Sequence, residues 1–138
     1  MNWKLINEQY PQAFLEWIKV YAHDKFATKV VDIDKDTVKL GFEYKGYISV
    51  HIYKMERDVW QMPEYFDKLG IQINAEAVIW NNNYTGKVLI PNPKHKLGVA
   101  IIKSKKEFYC GHYATRREAM EAGIIKAFEI REEQLKQL

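Results

Sequence analysis

Along the first half of the chain the spacing of apolar residues changes from a helical period to an alternating one. Phe14, Leu15, Ile18 and Tyr21 or Ala22 recur at three- and four-residue intervals behind Pro11, which predicts a helix over 11–22. From Thr28 the period is two. Val31 and Ile33, then Val38, Leu40 and Phe42, then Ile48, Val50 and Ile52 alternate with Asp32, Lys39, Glu43, Ser49 and His51. The pattern predicts a three-strand meander. A two-residue turn at Lys35-Asp36 sets Ile33 opposite Val38 and Val31 opposite Leu40, keeping the apolar set on one face. At the second turn a two-residue loop would set Phe42 opposite Ser49 and split that face. A three-residue loop, Tyr44-Lys45-Gly46, is therefore expected, pairing Phe42 with Ile48 and Leu40 with Val50.

The second half predicts a short helix over 63–68 closed by Gly70, an extended run over 71–80 and a turn through Asn81-Asn82-Asn83-Tyr84-Thr85-Gly86. Strands are expected over 87–90, 99–103 and 107–113, with a stiff loop, Pro91-Asn92-Pro93-Lys94-His95-Lys96, between the first two. Thr115-Arg116-Arg117-Glu118 is a capping box: the threonine oxygen accepts from the third helical amide while the glutamate reaches back to the threonine amide. It heads a helix over 116–134, one side of which carries Met120, Ile124, Ala127 or Phe128, and Leu135. The expected architecture is a single α+β domain over 1–138, ordered α-βββ-α-ββββ-α, with mainly antiparallel sheet and three helices.

Composition narrows the class further. With 138 residues, 47% of them hydrophobic and 14% aromatic, the chain carries enough apolar surface for its own core, which excludes disordered and collagenous readings. The longest apolar runs, 88–90 and 98–102, fall far short of the roughly twenty residues that cross a bilayer. The first residues lack the apolar stretch of a secretory leader, and Cys110 is the single cysteine, so a reducing, cytoplasmic setting is expected and an intrachain disulfide framework is excluded.

The formal net charge is only +3, but it is unevenly spread. Segment 86–117 holds Lys87, Lys94, Lys96, Lys103, Lys105, Lys106, Arg116 and Arg117 against Glu107 alone, while the rest of the chain is net acidic. Such a concentration attracts polyanions if the fold brings the cations together. With His95 they form the expected anion-binding set, and Trp80 and Tyr84 are the expected stacking residues. The competing reading of Lys105 and Lys106 is a hairpin tip kept soluble by lysine.

Other chemistry is weakly encoded. Asp32-Ile33-Asp34-Lys35-Asp36 with Glu43 at the twelfth position has the acidic spacing of a calcium loop, but Thr37 stands where such loops need glycine, and the flanks alternate like strands. Cys110 and His112 share a strand face in the expected pattern, with no third group to activate the thiol. His23, His51, His95 and His112 show no ligand spacing, and no glycine-rich phosphate loop is present. No catalytic residue, metal or cofactor is therefore expected. Asn83-Tyr84-Thr85 reads as a polar turn. Tyr47, His51 and Tyr53 fall on the polar face of the meander, beside Lys39 and Glu43, where rings either stack a planar ligand or lie under a helix carrying Trp17 or Trp60.

Two resemblances centre on Gly111-His112-Tyr113-Ala114-Thr115-Arg116-Arg117-Glu118-Ala119-Met120-Glu121-Ala122. The segment from Asp58 to Leu135, with its "LGIQI" and "YATRREAMEAGIIKAFEI", resembles small uncharacterised proteins of Bacteroidetes genomes and their phages, which implies a phage or mobile-element origin and no particular activity. The glycine, aromatic, threonine, glutamate and alanines at 111, 113, 115, 118, 119 and 122 resemble the strand-to-helix junction of three-strand-plus-helix DNA-binding domains. Those positions are a turn, a cap and small packing residues, and the strands here lack the arginines and tryptophans with which such domains read bases. The expected function is a non-catalytic binding protein that contacts nucleic acid or another polyanion through 86–117. The alternative is a protein-interaction or inhibitor module that binds a host protein without nucleic acid. A small-ligand pocket around Tyr47, His51 and Tyr53 is a third reading.

Overall fold

The computed structural model describes residues 1–90 and 106–138. The protein is α+β, and its residues group into two compact units, Met1–Gln61 with Phe128–Leu138, and Met62–Ala127.

The first unit opens with two helices, α1 (Trp3–Gln9) and α2 (Pro11–Tyr21). Asn2 Oδ1 accepts from the Leu5 amide at 3.1 Å and starts α1, and Pro11 occupies the first turn of α2, where its missing N–H costs nothing. Three antiparallel strands follow, β1 (Lys29–Ile33), β2 (Thr37–Gly41) and β3 (Tyr47–His51), in the order β1-β2-β3. The chain then forms α3 (Ile52–Arg57) and a 3-10 turn, Val59–Gln61. Trp3 stacks on Trp17 with ring centroids 5.3 Å apart, Phe14 lies 6.3 Å from Phe128, and Trp17 meets the same ring edge-on at 6.0 Å. These four rings, with Ile18, Val38, Leu40 and Met55, are among the buried side chains of the unit.

The second unit contains α4 (Met62–Lys68), an antiparallel sheet in the order β4-β5-β6 from β4 (Gln72–Val78), β5 (Asn83–Ile90) and β6 (Lys106–Tyr109), and the start of α5 (Arg116–Lys136). Gly70, at φ +79°, ends α4 in a Schellman arrangement: the Ile71 amide donates to Phe66 O and the Gly70 amide to Asp67 O, both at 2.9 Å. The cap of α5 differs from expectation in one bond. Thr115 Oγ1 accepts from the Glu118 amide at 3.1 Å, but Glu118 Oε1 takes the threonine hydroxyl at 2.9 Å instead of the threonine amide. The boundary between the units falls inside α5.

The expected order is recovered with two helices added, α1 and α3. Ile52, expected to continue the last strand of the meander, begins α3. Asn83, Tyr84, Thr85 and Gly86, expected in a turn, belong to β5, and the turn is 79–82 with Asn82 left-handed at φ +52°. The strand expected over 107–113 ends at Tyr109. The strand expected over 99–103 and the loop 91–96 lie outside the described residues. Two details of the meander are corrected. Val30, not Val31, pairs with Leu40, because a bulge between Val30 and Asp32 leaves Val31 unpaired. Leu40 pairs with Ile48 and Val38 with Val50, a register two residues from the expected one, closed by a five-residue loop over 42–46 with Gly46 at φ +126°.

On the second sheet, α5 approaches the strands at backbone distance. A Cβ added at Gly86 would stand 2.3 Å from the carbonyl oxygen of Ala119 and 3.1 Å from the amide of Gly123. The helix face there is built from Ala119, Gly123, Ile124 and Ala127, all buried, while Met120 is only half-buried. Among the described residues no helix is long and apolar enough to cross a membrane.

Candidate functional site

The cations expected to meet a polyanion are differently placed. Lys87 lies mid-strand in β5, its side chain largely covered, 3.6 Å from Glu76 Oε1 and over the Tyr109 ring at 5.6 Å. Burial works against its charge, yet Glu76, Tyr109 and Glu107 together hold its pKa above the ordinary lysine value. Arg117 pairs with Glu121 one turn along α5, at 3.2 Å. Arg116 lies over the Tyr84 ring at 5.5 Å, so that ring is covered by a guanidinium from its own chain. Lys106 is exposed on β6. Trp80 is 93% exposed at the β4–β5 turn beside Ile79, which is 87% exposed. Lys94, His95, Lys96, Lys103 and Lys105 lie outside the described residues.

The two faces of the second sheet account for this. Register and period two put Ile73, Ala75, Gly86, Val88 and Phe108 toward α5, whose Lys126 reaches over the Phe108 ring at 4.7 Å. Glu76, Thr85, Lys87, Glu107 and Tyr109 occupy the other face, where Lys87 is held by the acidic and phenolic groups around it. A groove of about 430 Å³ runs beside them, lined by Glu76, Val78, Trp80, Tyr109 and His112 among others.

The first sheet presents a different face. Its rows Thr37–His51, Lys39–Ser49 and Gly41–Tyr47 alternate with the apolar rows Val38–Val50 and Leu40–Ile48. Tyr47 is 61% exposed, with the Lys39 ammonium over its ring at 5.4 Å. His51 and Tyr53 bring their rings within 5.7 Å, and Lys54 lies over Tyr53 at 6.0 Å. Tyr53, expected on the polar face of the strand, instead belongs to α3, because the strand ends at His51, and is 66% exposed. Neither tryptophan covers these rings: Trp17 is in the core and Trp60 is half exposed. Gly41 forms a low point between them and β1, where the side chains of Lys29 and Val31 lie within 3.3 Å of a hypothetical Cβ. Two exposed tyrosines, each with a lysine over it, thus stand on β3 and α3, the second with the exposed His51 ring against it.

The remaining motifs resolve into local structure. Asp34 Oδ1 accepts from the Asp36 and Thr37 amides, each at 2.8 Å, and these bonds hold its carboxyl below the ordinary aspartate pKa. The acidic run is thus a turn clamp around Lys35-Asp36. Cys110 and His112 do not continue a strand, because Gly111 between them is left-handed at φ +72°. Among the described residues no three His, Cys, Asp or Glu side chains group as metal ligands. The signal that sequence reading missed is Glu132: buried inside a charged stretch of α5, it accepts from the Ala13 amide at 2.7 Å and the Gln12 amide at 3.3 Å. Comparison with known proteins adds nothing to these observations, since no protein-family model, curated protein or solved structure matches the chain.

Proposed function

We propose that the protein is a non-catalytic binding protein that holds single-stranded nucleic acid, with bases stacked on the open face of the first sheet. The observation that carries this reading is the uncovered pair of tyrosine–lysine contacts, Tyr47 with Lys39 and Tyr53 with Lys54, with His51 against the second ring. Any base has a π-face, so exposed rings bind a strand with little regard to sequence, and adjacent ammonium groups meet its phosphates. The expected polyanion class is kept, while the stacking surface moves from Trp80 and Tyr84 to Tyr47 and Tyr53. Arg116 already covers Tyr84, and Lys87 and Arg117 already face carboxylates.

The test is fluorescence anisotropy with a labelled oligothymidylate. Affinity is expected to fall with salt at a log–log slope of about −0.7 per neutralised phosphate. Tyr47→Ala and Tyr53→Ala are each expected to weaken binding by at least about fivefold, since one stacked base is worth about 1–3 kcal/mol. A salt-independent signal, or a double variant that binds like the parent, overturns the reading. A second reading, a protein-interaction module, is favoured by the apolar β4–β5 tip, Ile79 and Trp80. It predicts a nuclease-resistant complex that Trp80→Ser abolishes.

A further inference from the structure

A further groove is lined by residues of neither sheet. It has a volume of about 970 Å³ and follows α2 through Gln12, Leu15, Glu16, Lys19, Val20 and His23, with Phe26 and Leu135 completing its apolar floor. Those α2 positions recur at three- and four-residue spacing, on the side opposite the buried Ala13, Phe14, Trp17 and Ile18. From Gln12 to Val20 the stripe covers a little over two helical turns, about 12 Å at 1.5 Å per residue, and His23 follows just beyond the end of the helix. Val20 is 57% and Phe26 72% exposed, a large apolar surface left to water.

The rim carries charge of both signs, and its cations are the groups left without a counter-ion. Glu16 is held by Arg131 through two bonds, 2.7 and 2.9 Å, and Asp24 Oδ1 accepts from the Phe26 amide at 3.0 Å. Lys19 and Lys25 meet no carboxylate among the described residues, and Lys25 instead leans over the Phe26 ring at 5.3 Å. The floor is apolar, and at its rim two ammonium groups without a carboxylate partner among the described residues, Lys19 and Lys25, stand against the one carboxylate of Asp24.

We infer that this groove docks an acidic amphipathic helix from a protein partner, its apolar stripe against Leu15, Val20, Phe26 and Leu135 and its carboxylates toward Lys19 and Lys25. A floor of a little over two turns matches the i, i+3, i+4, i+7 anchors of a helix in a groove. A concave surface does not suit a membrane, which takes convex apolar wedges lying in its interface. The inference is independent of the nucleic-acid reading, since it uses none of the same residues.

The test uses two labelled synthetic helices, one with leucines on a single stripe and glutamates elsewhere, the other with lysines replacing the glutamates. The glutamate helix is expected to bind the full chain at least about tenfold more tightly than the lysine helix, as like charges across an interface are strongly disfavoured. Phe26→Asp is expected to reduce that binding about tenfold or more, and Lys19→Glu with Lys25→Glu to invert the preference. These side chains lie at the surface, and matching melting curves establish that the variants fold. Equal binding of both helices, binding untouched by Phe26→Asp, or a preference for phosphatidylglycerol vesicles over the glutamate helix overturns the inference.

Discussion

Each sheet carries a glycine in a strand, and the two glycines do opposite things. Gly86 in β5 lets the backbone of α5 rest on the strand, with the Ala119 carbonyl and the Gly123 amide where a side chain would be. Gly41 in β2 faces only the ends of Lys29 and Val31 from the neighbouring strand. One glycine closes a sheet face under a helix, and the other, itself buried, lies under side chains of the neighbouring strand. The charges follow the same division. In the second sheet Lys87 is drawn among Glu76, Glu107 and Tyr109. In the first, Lys39 lies over the exposed Tyr47 ring, with Asp32 its register partner across the strand and no carboxylate within ion-pair distance among the described residues. A cluster of cations counted along a sequence is thus a poor guide to free positive surface, because it does not register what lies across the strand.

The sharpest way to break the comparison is Gly86→Ala. The new methyl group meets main-chain atoms of α5, which cannot turn aside as a side chain can. A loss of about 3 kcal/mol or more is expected, at the upper end for overpacking. Urea denaturation checks it, and a loss below about 1 kcal/mol would mean that the helix can lift from the strand.

How much of this was legible depends on whether the signal is local. The capping box at Thr115 and Glu118, the Gly70 stop and the Lys35-Asp36 turn are written in three to six consecutive residues, and the structure forms the last two and the threonine half of the first. The β2–β3 register was missed by two residues for a definite reason. A shift of two keeps every side chain on its own face, so alternation cannot distinguish Leu40–Ile48 from Leu40–Val50. Helix α1 spans only seven residues, too few for a period to show, and its one local sign is Asn2. For the candidate site, the shared polar face of Tyr47 and His51 follows from alternation. That Tyr84 lies under Arg116 and Lys87 beside Glu76 does not, since both contacts depend on which strands and helices become neighbours.

Glu132 is the plainest case of a residue whose role lies in tertiary structure, and it gives the next largest expected effect. Tyr10, the residue preceding α2, makes no side-chain cap to the helix. The carboxylate of Glu132 takes that place from α5, accepting from the Gln12 and Ala13 amides. Helix N-termini favour such a negative charge, and hydrogen bonds to a charged group are among the stronger ones. Glu132→Ala is expected to cost about 2–3 kcal/mol in urea denaturation, with Glu132→Gln recovering part of it by keeping one acceptor. An Ala variant as stable as the parent would show that water replaces the carboxylate.

A smaller effect separates the units by pH. Burial, then the bond its hydroxyl donates to Asp58 at 2.7 Å, pushes the Tyr21 pKa up to about 12 from the ordinary tyrosine value of 10.0. The folded pKa lies above the unfolded one, so this stabilisation is fully present below pH 10 and is lost as pH rises through 12. Tyr21→Phe is expected to flatten the fall in stability over that window and to remove the last tyrosinate to appear near 295 nm. If the phenylalanine variant and the parent lose stability in parallel there, another group controls the alkaline limit.

The smallest expected change completes the contrast. Gly41→Ala places a methyl group 2.7 Å from a Val31 methyl and 3.1 Å from the Lys29 stem, and both side chains can give way on a surface open to water. Alanine also reduces the freedom of the unfolded chain, which offsets part of the crowding. Stability within about 0.5 kcal/mol of the parent is expected. If Gly41→Ala proved as damaging as Gly86→Ala, the first sheet could not be open at this position. The surface proposed to receive bases would then be a packed one, because only a neighbour unable to move makes a single methyl group so costly.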